Sequence, residues 1–447
     1  MMFNRVQAGR FARASLVGML LSTASFSLIA RAQAEEVVTF WHSMGAAHAP
    51  TLEALVAEFN AEHAGEIRVD PIFQGAYGDS LAKLTAAIQA STTPTIVQVY
   101  EIGTTLMMDL DVAIPLQDVA ADAGIDLTEI LPAMSSYYTV GGKLQSLPFN
   151  ASAPMFYYNK DAFRAAGLDP EQPPTTLAEV REMAESLLIK NGDQVSQYGY
   201  VSSVDGWFVE QWFARGDQTY CGAGNGREGR ANDVTWDNPV LHNILSFWHD
   251  IMDDGVGMNA GRVSGDAIAA FVSGRAATLI LTSAPMRDII ERSEFEVGVA
   301  NFPAPIENAQ GSVFNGGASI WLLKDHPEAE QAAALEFIKF LASAEAQGKW
   351  SSGTGYIPTN IHAAETDAYK KIVATYPDFD KPRQQLESAA QSVASSGCLV
   401  GVLPQARPRL NEVIDSVLLG GDIQQAITEG QDAVNGLIAN YNRSVGQ

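Results

Sequence analysis

LPFNASAPMFYYNKDAF, residues 147–163, is the stretch of sequence that decides the fold. Pro148 and Pro154 each favour extended backbone in the residue before them, and the short side chains of residues 150–153 leave the backbone amides approachable. Residues 155–158 are mostly aromatic, which is typical of a strand, and a helix is predicted to follow them. The stretch therefore predicts a hinge, a pocket wall and a strand in one unbroken segment.

Short apolar runs alternate with stretches of helical spacing near the start of the chain. Residues 37–41, 67–73 and 95–100 predict three strands, and residues 50–63 and 80–90 predict the helices between them. Strands and helices that alternate in this way favour a parallel sheet with helices on both faces. The predicted class is therefore α/β, with mostly parallel sheets.

Motifs of catalysis and cofactor binding are weak in this sequence. Residues 224–229 fit the pattern G-x-G-x-x-G, but no strand leads into them, so they predict a flexible loop within the glycine-rich, exposed segment 217–233. His42 and His48 are six residues apart and do not share a helical face, which argues against a metal site. No G-x-S-x-G elbow or phosphate-binding loop occurs. The sequence therefore predicts no cofactor, no metal and no catalytic site.

The first 34 residues have the composition of a secretory signal. Arg5, Arg10 and Arg13 precede an apolar run over residues 14–30, and small residues suited to a signal peptidase follow it. Serine and threonine interrupt the run, which argues against a membrane anchor. The mature chain is predicted to start near Glu35 and, without a cysteine there to carry a lipid, to diffuse freely in a periplasm.

The mature chain is long and strongly acidic. The whole sequence has 28 basic and 52 acidic residues and a formal net charge of −24. Four arginines and no acid precede Glu35, so the charge falls to −28 in the mature chain. Such a surface disfavours nucleic acid and anionic membranes as partners. The 413 residues that remain are enough for two lobes, each with its own core.

Cys221 and Cys398 are the two cysteines of the chain, and both lie in the part predicted to be exported. An oxidising compartment favours a disulfide between them, but sequence alone does not place their Cα atoms within bridging distance. A pair of buried free thiols is the alternative that the sequence leaves open.

Aromatic and small polar residues stand at the ends of the three predicted strands. They occupy residues 40–44, 75–77 and 98–103. In an open parallel sheet the carboxyl ends of the strands form the ligand crevice, so these three tips are expected to converge. Each tip taken alone is better explained by core packing. Their convergence is what indicates a binding site.

These tips and six further blocks resemble the glycerol-3-phosphate-binding members of the periplasmic solute-binding proteins that feed ATP-driven importers. The further blocks, all in the family's order, are residues 148–150, 157–163, 167–174, 316–319, 354–358 and 404–407. The resemblance covers essentially the whole mature chain. It implies a two-lobed periplasmic binding protein fold of type II, in which hinge crossings join two sheets flanked by helices, and a closed form that a membrane permease distinguishes.

The resemblance also implies a set of ligand contacts, with Thr282 and Ser283 as alternatives for one of them. The implied residues are Tyr77, Glu101, Ser152, Trp207, Thr282, Ser283, Gly317, Tyr356 and Arg407. Arg407 is expected to hold phosphate, and Glu101 to accept hydrogen bonds from glycerol hydroxyls at the other end of the ligand. The alternatives are an Arg407 paired with a surface acid, tyrosines that only pack, and a Gly317 that serves only a hinge turn.

The positions of the crossings predict the extent of the lobes. Lobe 1 is predicted to cover residues 35–149 and 313–364, and lobe 2 residues 150–312 and 365–447. The expected partners are a small-molecule ligand and the permease subunits of an ABC importer, and the protein is expected to be a monomer without a cofactor.

Val204 is a departure from the family pattern, which commonly has a second Trp there beside Trp207. The smaller side chain makes a glycerophosphodiester such as glycerophosphocholine an alternative ligand, and an oligosaccharide is another. Outside this class, the alternatives are a secreted phosphodiester hydrolase and a chaperone-like interaction protein.

Overall fold

The computed structural model of the protein describes residues 35–388 and 392–446. The predicted signal lies outside the described residues. In the described part of the chain no helix is long and apolar enough to cross a membrane. Two large β-sheets, each flanked by helices, dominate this part, and they confirm the predicted two-lobed α/β fold.

The described strands are numbered in chain order. They are β1 (Glu36–His42), β2 (Ile67–Phe73), β3 (Ile96–Tyr100), β4 (Ala113–Ile114), β5 (Thr139–Val140), β6 (Lys143–Leu144), β7 (Leu147–Ser152), β8 (Pro154–Asn159), β9 (Ile189–Asn191), β10 (Gln194–Gln197), β11 (Tyr200–Ser202), β12 (Gly257–Asn259), β13 (Thr278–Thr282), β14 (Val297–Asn301) and β15 (Gly316–Leu323).

The described helices follow the same numbering. They are α1 (Ala49–Glu62), α2 (Tyr77–Ala90), α3 (Thr104–Leu110), α4 (Leu116–Val119), α5 (Pro132–Ser135), α6 (Lys160–Ala165), α7 (Leu177–Leu187), α8 (Gly206–Arg215), α9 (Gly222–Gly226), α10 (Pro239–Asp253), α11 (Ser264–Val272), α12 (Met286–Arg292), α13 (Glu328–Ala342), α14 (Ala344–Gly353), α15 (Asp367–Thr375), α16 (Lys381–Glu387), α17 (Leu403–Leu418) and α18 (Ile423–Ser444). Short 3-10 turns occur at Glu101–Gly103, Leu127–Glu129, Ala363–Glu365, Pro377–Asp380 and Ala394–Ser396.

Each large sheet is mixed, whereas the sequence predicts mostly parallel sheets. The first sheet has the order β2-β1-β3-β15-β4, with β7 also paired to β15. Strand β1 is parallel to β2 and β3, but β15 is antiparallel to all its partners. The second sheet has the order β12-β11-β13-β8-β14, in which β8 is antiparallel to both neighbours.

The crossings between the sheets explain this reversal. Strand β8 begins at Pro154, which pairs with Thr282 at the carboxyl end of β13. Strand β15 begins beside the carboxyl end of β3, where Ala318 pairs with Tyr100. A strand that enters a sheet at the edge where its neighbours end has to run against them. Ala153 alone separates β7 of the first sheet from β8 of the second. The predicted lobe boundaries themselves stay predictions.

Aromatic packing fixes the helices against the sheets. Phe59 of α1 meets Phe337 of α13 edge to face at 5.0 Å, and Phe337 also contacts Phe40 of β1. In the other half, the ring of Trp212 in α8 stacks on Phe302 at 4.7 Å. Large rings with such geometry contribute strongly to core stability. The strand ends and helix ends that carry the candidate site therefore stand on a rigid base.

The glycine-rich segment 217–233 is tied into the fold, although the sequence predicts an exposed loop. Cys221 and Cys398 form a disulfide, with their Cα atoms 5.9 Å apart, so the open question about these cysteines is resolved. Asn225, buried in the left-handed turn α9, accepts hydrogen bonds from the N–H groups of Tyr220 and Cys221 and donates to Val393. These contacts come from distant parts of the sequence, which is why local composition does not indicate them.

Candidate functional site

The nine predicted site residues come from both sheets and from helices beside them. They lie at the start of α2 (Tyr77), in the 3-10 turn after β3 (Glu101), at the end of β7 (Ser152), in the first turn of α8 (Trp207), at and after the end of β13 (Thr282 and Ser283), in β15 (Gly317), after α14 (Tyr356) and in α17 (Arg407). Direct contacts join Glu101 to Arg407 and Tyr77 to Tyr356, and these residues with their polar neighbours form a cluster at the crossings. Strand pairing and packing bring Ser152, Gly317 and Trp207 to the same stretch of backbone. The hydroxyls of Thr282 and Ser283 accept hydrogen bonds from the N–H groups of Ala284 and Ala153.

Arg407 forms ion pairs with two buried carboxylates. Its Nε donates to Oε1 of Glu210 at 2.7 Å, and its Nη2 donates to Oε2 of the same carboxylate at 2.8 Å. Nη2 also donates to Oε1 of Glu101 at 2.7 Å. The side chains of Glu101 and Glu210 are 3% and 6% exposed. The three charged groups therefore share a nearly water-free space, where each depends on the others for charge compensation.

The contact between Glu101 and Arg407 joins the two halves of the protein. Glu101 follows a strand of the first sheet, whereas Glu210 and Arg407 lie on α8 and α17, two helices that pack against each other. The expectation that Glu101 and Arg407 stand at opposite ends of the ligand is not met in this structure. A carboxylate as buried as Glu101 needs a countercharge, and Arg407 supplies it.

Burial and charge shift the protonation equilibria of this group in opposite senses. Burial by itself lowers the pKa of Arg407, but the carboxylates of Glu210 and Glu101 outweigh burial, so this pKa lies well above its usual value. Burial raises the pKa of the Glu210 carboxyl, and the adjacent guanidinium opposes that rise without cancelling it. The guanidinium is permanently charged, and the carboxyl of Glu210 protonates more readily than a carboxyl in water.

A chain of buried amides orients the hydroxyl of Tyr77. The N–H of Ser43 donates to Oε1 of Gln98 at 2.8 Å, and Nε2 of Gln98 donates to Oδ1 of Asn150 at 2.7 Å. Nδ2 of Asn150 then donates to the Tyr77 hydroxyl at 2.8 Å. Each amide is fixed by the one before it, so the Tyr77 oxygen accepts from the protein and its proton is left to donate.

Tyr356 lies beside Tyr77 and completes this polar group. The phenol of Tyr356 interacts with Tyr77 and with Asn150, and burial raises the pKa of both phenols. The Tyr77 ring stacks on Tyr100 at 5.3 Å, and the Tyr356 ring stacks on Trp350 at 5.4 Å. Packing and a polar role are therefore combined in the same two side chains. Both phenols stay protonated at neutral pH, so each hydroxyl can donate a hydrogen bond as well as accept one.

The hydroxyl oxygens of Ser283 and Thr282 both accept hydrogen bonds from backbone N–H groups near the crossing. The N–H of Ala153 donates to Oγ of Ser283 at 3.3 Å, and the N–H of Ser283 donates to the Ala153 carbonyl at 2.8 Å. The N–H of Ala284 donates to Oγ1 of Thr282 at 3.4 Å. Each hydroxyl accepts from the protein and retains its own proton for another acceptor.

Glycine is required where the chain crosses at β15. Gly317 has φ +102°, and a Cβ there would lie 2.0 Å from the carbonyl oxygen of Asn150. A Cβ on Gly316, which pairs with the buried Ser152, would lie 2.6 Å from the ring of Trp207. Trp207 thus packs directly on the backbone of the crossing. The positive φ and the close approach explain why residue 317 is a glycine, whereas its roles as a hinge and as a ligand contact stay predictions.

Trp207 and Val204 flank the start of α8. The side chain of Asp205 caps this helix by accepting the N–H of Trp207 at 2.8 Å, and the Trp207 ring meets Phe208 edge to face at 5.0 Å. Val204 is buried, and its N–H donates to the Gly261 carbonyl at 2.9 Å. The position where the family pattern has a second Trp is therefore buried here and is bonded to the segment that carries Gly261.

Three polar residues of the cluster are absent from the predicted set: Gln98, Asn150 and Glu210. Glu210 had a signal in the sequence, because it is the one charged residue in the largely aromatic run GWFVEQWF and stands three residues after Trp207 on the same helical face. Gln98 had one as well, being a polar residue inside an apolar strand. Within residues 35–388 and 392–446, no group of three or more His, Cys, Asp or Glu side chains is placed to hold a metal ion.

Comparison with known proteins gives two kinds of similarity. The family model of bacterial extracellular solute-binding proteins matches residues 54–377. The chain is 32% identical to the sn-glycerol-3-phosphate-binding periplasmic protein UgpB of Pectobacterium atrosepticum, over 94% of this chain and 95% of the relative. It is 30% identical to UgpB of Escherichia coli K12, over 94% and 96%.

Solved structures resemble the fold at lower sequence identity. One is UgpB from Mycobacterium tuberculosis in complex with glycerophosphocholine, with a TM-score of 0.75, 20% identity and coverage of 91% of this chain and 98% of that one. Another is the GacH receptor of Streptomyces glaucescens, studied with acarbose, with a TM-score of 0.75, 18% identity and coverage of 91% and 99%. These structures share the two-lobed architecture described above.

Proposed function

Because the chain belongs to the bacterial extracellular solute-binding proteins, we propose that it captures sn-glycerol-3-phosphate between its lobes and delivers it to the permease of an ABC importer. The protein is periplasmic, as its relatives are. Binding and release leave the ligand unchanged, in keeping with a family of solute carriers. The observation that carries the proposal is the guanidinium of Arg407, held at the crossings beside a set of oriented hydroxyl donors.

Each part of glycerol-3-phosphate has a matching group in this cluster. The phosphate takes hydrogen bonds from Arg407 and from the protons of Tyr77, Tyr356 and Ser283, since charge-assisted bonds to phosphate are strong. The glycerol hydroxyls donate to the carboxylate of Glu101, which leaves Nη2 of Arg407 as the phosphate arrives. Trp207 and Ser152 line the remaining sides.

Lobe closure follows from where these groups are anchored. Glu101 and Tyr77 move with the first sheet, while Arg407 and Trp207 move with the helices of the other half. A ligand that bonds to both sets stabilises the closed form, and the permease then has a distinct shape to recognise.

A calorimetric panel tests the proposed function on the mature protein. Titration with glycerol-3-phosphate is expected to give saturable heat, and titration with maltose none. Analysis of the ligand after incubation is expected to find it intact. Binding of maltose alone would reassign the protein to oligosaccharides, and release of glycerol or inorganic phosphate would support a hydrolase instead.

A glycerophosphodiester is a second candidate ligand because a structural neighbour, UgpB from Mycobacterium tuberculosis, was solved in complex with glycerophosphocholine. Glycerophosphocholine belongs in the same panel, since a choline cation could use the face of Trp207 for about 0.5 to 2 kcal/mol. Tighter binding of the diester than of glycerol-3-phosphate would make it the preferred ligand.

Replacing Tyr77 with Phe is expected to weaken glycerol-3-phosphate binding by about 1 kcal/mol, the net value of one hydrogen bond. The change removes the hydroxyl that Asn150 orients and keeps the ring stacked on Tyr100. Calorimetry of the variant gives the difference directly. Tyr158→Phe is the matched control, because its hydroxyl donates to the Pro170 carbonyl away from the cluster, and it should leave affinity unchanged. Equal affinities of all three proteins would show that Tyr77 only packs.

A further inference from the structure

Glu210 holds Arg407 in a fixed orientation relative to α8. The carboxylate accepts one hydrogen bond from Nε and one from Nη2. These two bonds are parallel, and only one orientation of the guanidinium plane allows both. Both residues are on the same half of the protein, so this pair persists when the lobes separate. Glu101, by contrast, approaches from the first sheet and can leave.

A count of donors shows what remains for a ligand. A guanidinium has five N–H groups, and Glu210 takes two of them while Glu101 takes a third. The two hydrogens of Nη1 have no acceptor in the part of the chain that the structure describes. A phosphate that bonds to Nη1 gains a second, parallel bond from Nη2 only by displacing Glu101.

The charge of the cluster disfavours a heavily charged ligand. Two carboxylates and one guanidinium leave one net negative charge in a buried space. Asp205, at the start of α8, adds a further negative group that acts on both Glu210 and Arg407. The other titratable groups that face Glu210 are the phenols of Tyr100, Tyr137 and Tyr220, and burial, the first cause in each case, keeps them neutral.

We propose that Glu210 is a positioning and charge-selecting residue, which presents Nη1 of Arg407 to the ligand and makes the site prefer a singly charged phosphate to a doubly charged one. This inference rests on the proposed function, because it assumes that a glycerol phosphate enters the cluster. Bringing a doubly charged anion to a site that already has a net negative charge is unfavourable in a medium of low polarity. A singly charged phosphate, or a proton taken up with a doubly charged one, reduces that repulsion.

The consequence is a coupling between binding and proton uptake. The second ionisation of a phosphate monoester has a pKa of about 6, so glycerol-3-phosphate is mostly doubly charged at pH 8. The proton that accompanies it is held by the phosphate or by Glu210, whose pKa burial raises. Burial lowers the pKa of His42 to about 4 and also lowers that of His48, so both imidazoles lose their proton more readily than a free imidazole does. The affinity therefore falls as the pH rises above 6.

Dissociation constants measured between pH 6 and pH 8 test the proposal. Native protein is expected to bind glycerol-3-phosphate about 10- to 50-fold more weakly at pH 8 than at pH 6, the range for uptake of up to one proton. Glycerophosphoglycerol is the control ligand, since a phosphodiester has no second ionisation, and its affinity should change less than about threefold. In Glu210→Gln the pH dependence for glycerol-3-phosphate is expected to flatten to about threefold, because one negative charge is gone.

Glu210→Asp separates charge from position. It keeps the negative charge but shortens the reach to Arg407, so both ligands should bind more weakly while the pH dependence is retained. If Glu210→Gln fails to fold, calorimetry of the native protein at pH 7.5, in two buffers of different ionisation enthalpy, supplies the same answer. Close to one proton should be taken up with glycerol-3-phosphate and close to none with the diester.

The outcomes distinguish this inference from the function on which it rests. Absence of binding by native protein to both ligands at every pH would overturn the proposed function and the charge preference together. Binding of glycerol-3-phosphate that does not weaken with pH would overturn the charge preference alone. A Glu210→Gln variant that weakens both ligands equally, with the native pH dependence, would reduce Glu210 to a structural role.

Discussion

Replacing Arg407 with Ala will weaken glycerol-3-phosphate binding by about 2 to 5 kcal/mol, the range for removing one partner of a buried, hydrogen-bonded charge pair at an interface. The variant loses the one guanidinium that the cluster offers to phosphate and leaves Glu101 and Glu210 as uncompensated carboxylates. The lost attraction and the added repulsion both weaken the binding of an anion. Calorimetry at pH 6 and at pH 8 measures the loss.

The same substitution will also lower the free energy of unfolding. Removing one partner of a buried ion pair costs about 3 to 5 kcal/mol, because the other partner stays buried without a countercharge. Urea unfolding of the ligand-free variant measures this effect apart from binding.

Arg409→Ala is the matched control for both measurements. Arg409 lies on the same helix, and its ion pair with Glu412 joins side chains that are 49% and 63% exposed. Such exposed pairs contribute little. The control should therefore keep native affinity and native stability. A folded Arg407→Ala variant with native affinity would remove Arg407 from the binding site.

The part of the site that follows strand ends could be predicted from the sequence. Glu101 comes directly after β3, and Tyr77 follows β2 after three residues. Parallel strands such as β1, β2 and β3 bring their carboxyl ends to one edge. The helical spacing of α1 was equally informative, since Leu52, Leu55, Val56 and Phe59 are all buried. Local order in the sequence is sufficient for features of this kind.

The features that sequence reasoning missed depend on residues far apart in the chain. Glu210 and Arg407 are 197 positions apart, and Glu101 and Arg407 are 306 apart. An acid in an apolar helix predicts that a cationic partner lies close to it, but the sequence does not identify that partner. The direction of β8 and β15 likewise depends on the edge at which the chain enters each sheet. Composition and residue spacing do not predict that edge.

Removing the disulfide will lower the free energy of unfolding by about 2 to 5 kcal/mol. In the double variant Cys221→Ser, Cys398→Ser, the unfolded chain is released from a constraint between residues 177 positions apart. In the chain-entropy account, constraints over long loops contribute most, since the unfolded ensemble loses the most freedom. Urea unfolding of both proteins without ligand measures the difference.

The folded state around the bridge has its own attachments, which is why the loss should be one of stability and not of binding. The Tyr137 hydroxyl donates to the Cys398 carbonyl at 3.0 Å, and Asn225 still holds the turn of α9. The ion pair of Arg407 with Glu210 involves neither cysteine of the disulfide. Folded double variant should therefore bind glycerol-3-phosphate with native affinity. A reductant should shift the unfolding midpoint of native protein toward that of the variant and leave the midpoint of the variant unchanged. Equal midpoints for the two proteins under oxidising conditions would show that the disulfide adds no stability.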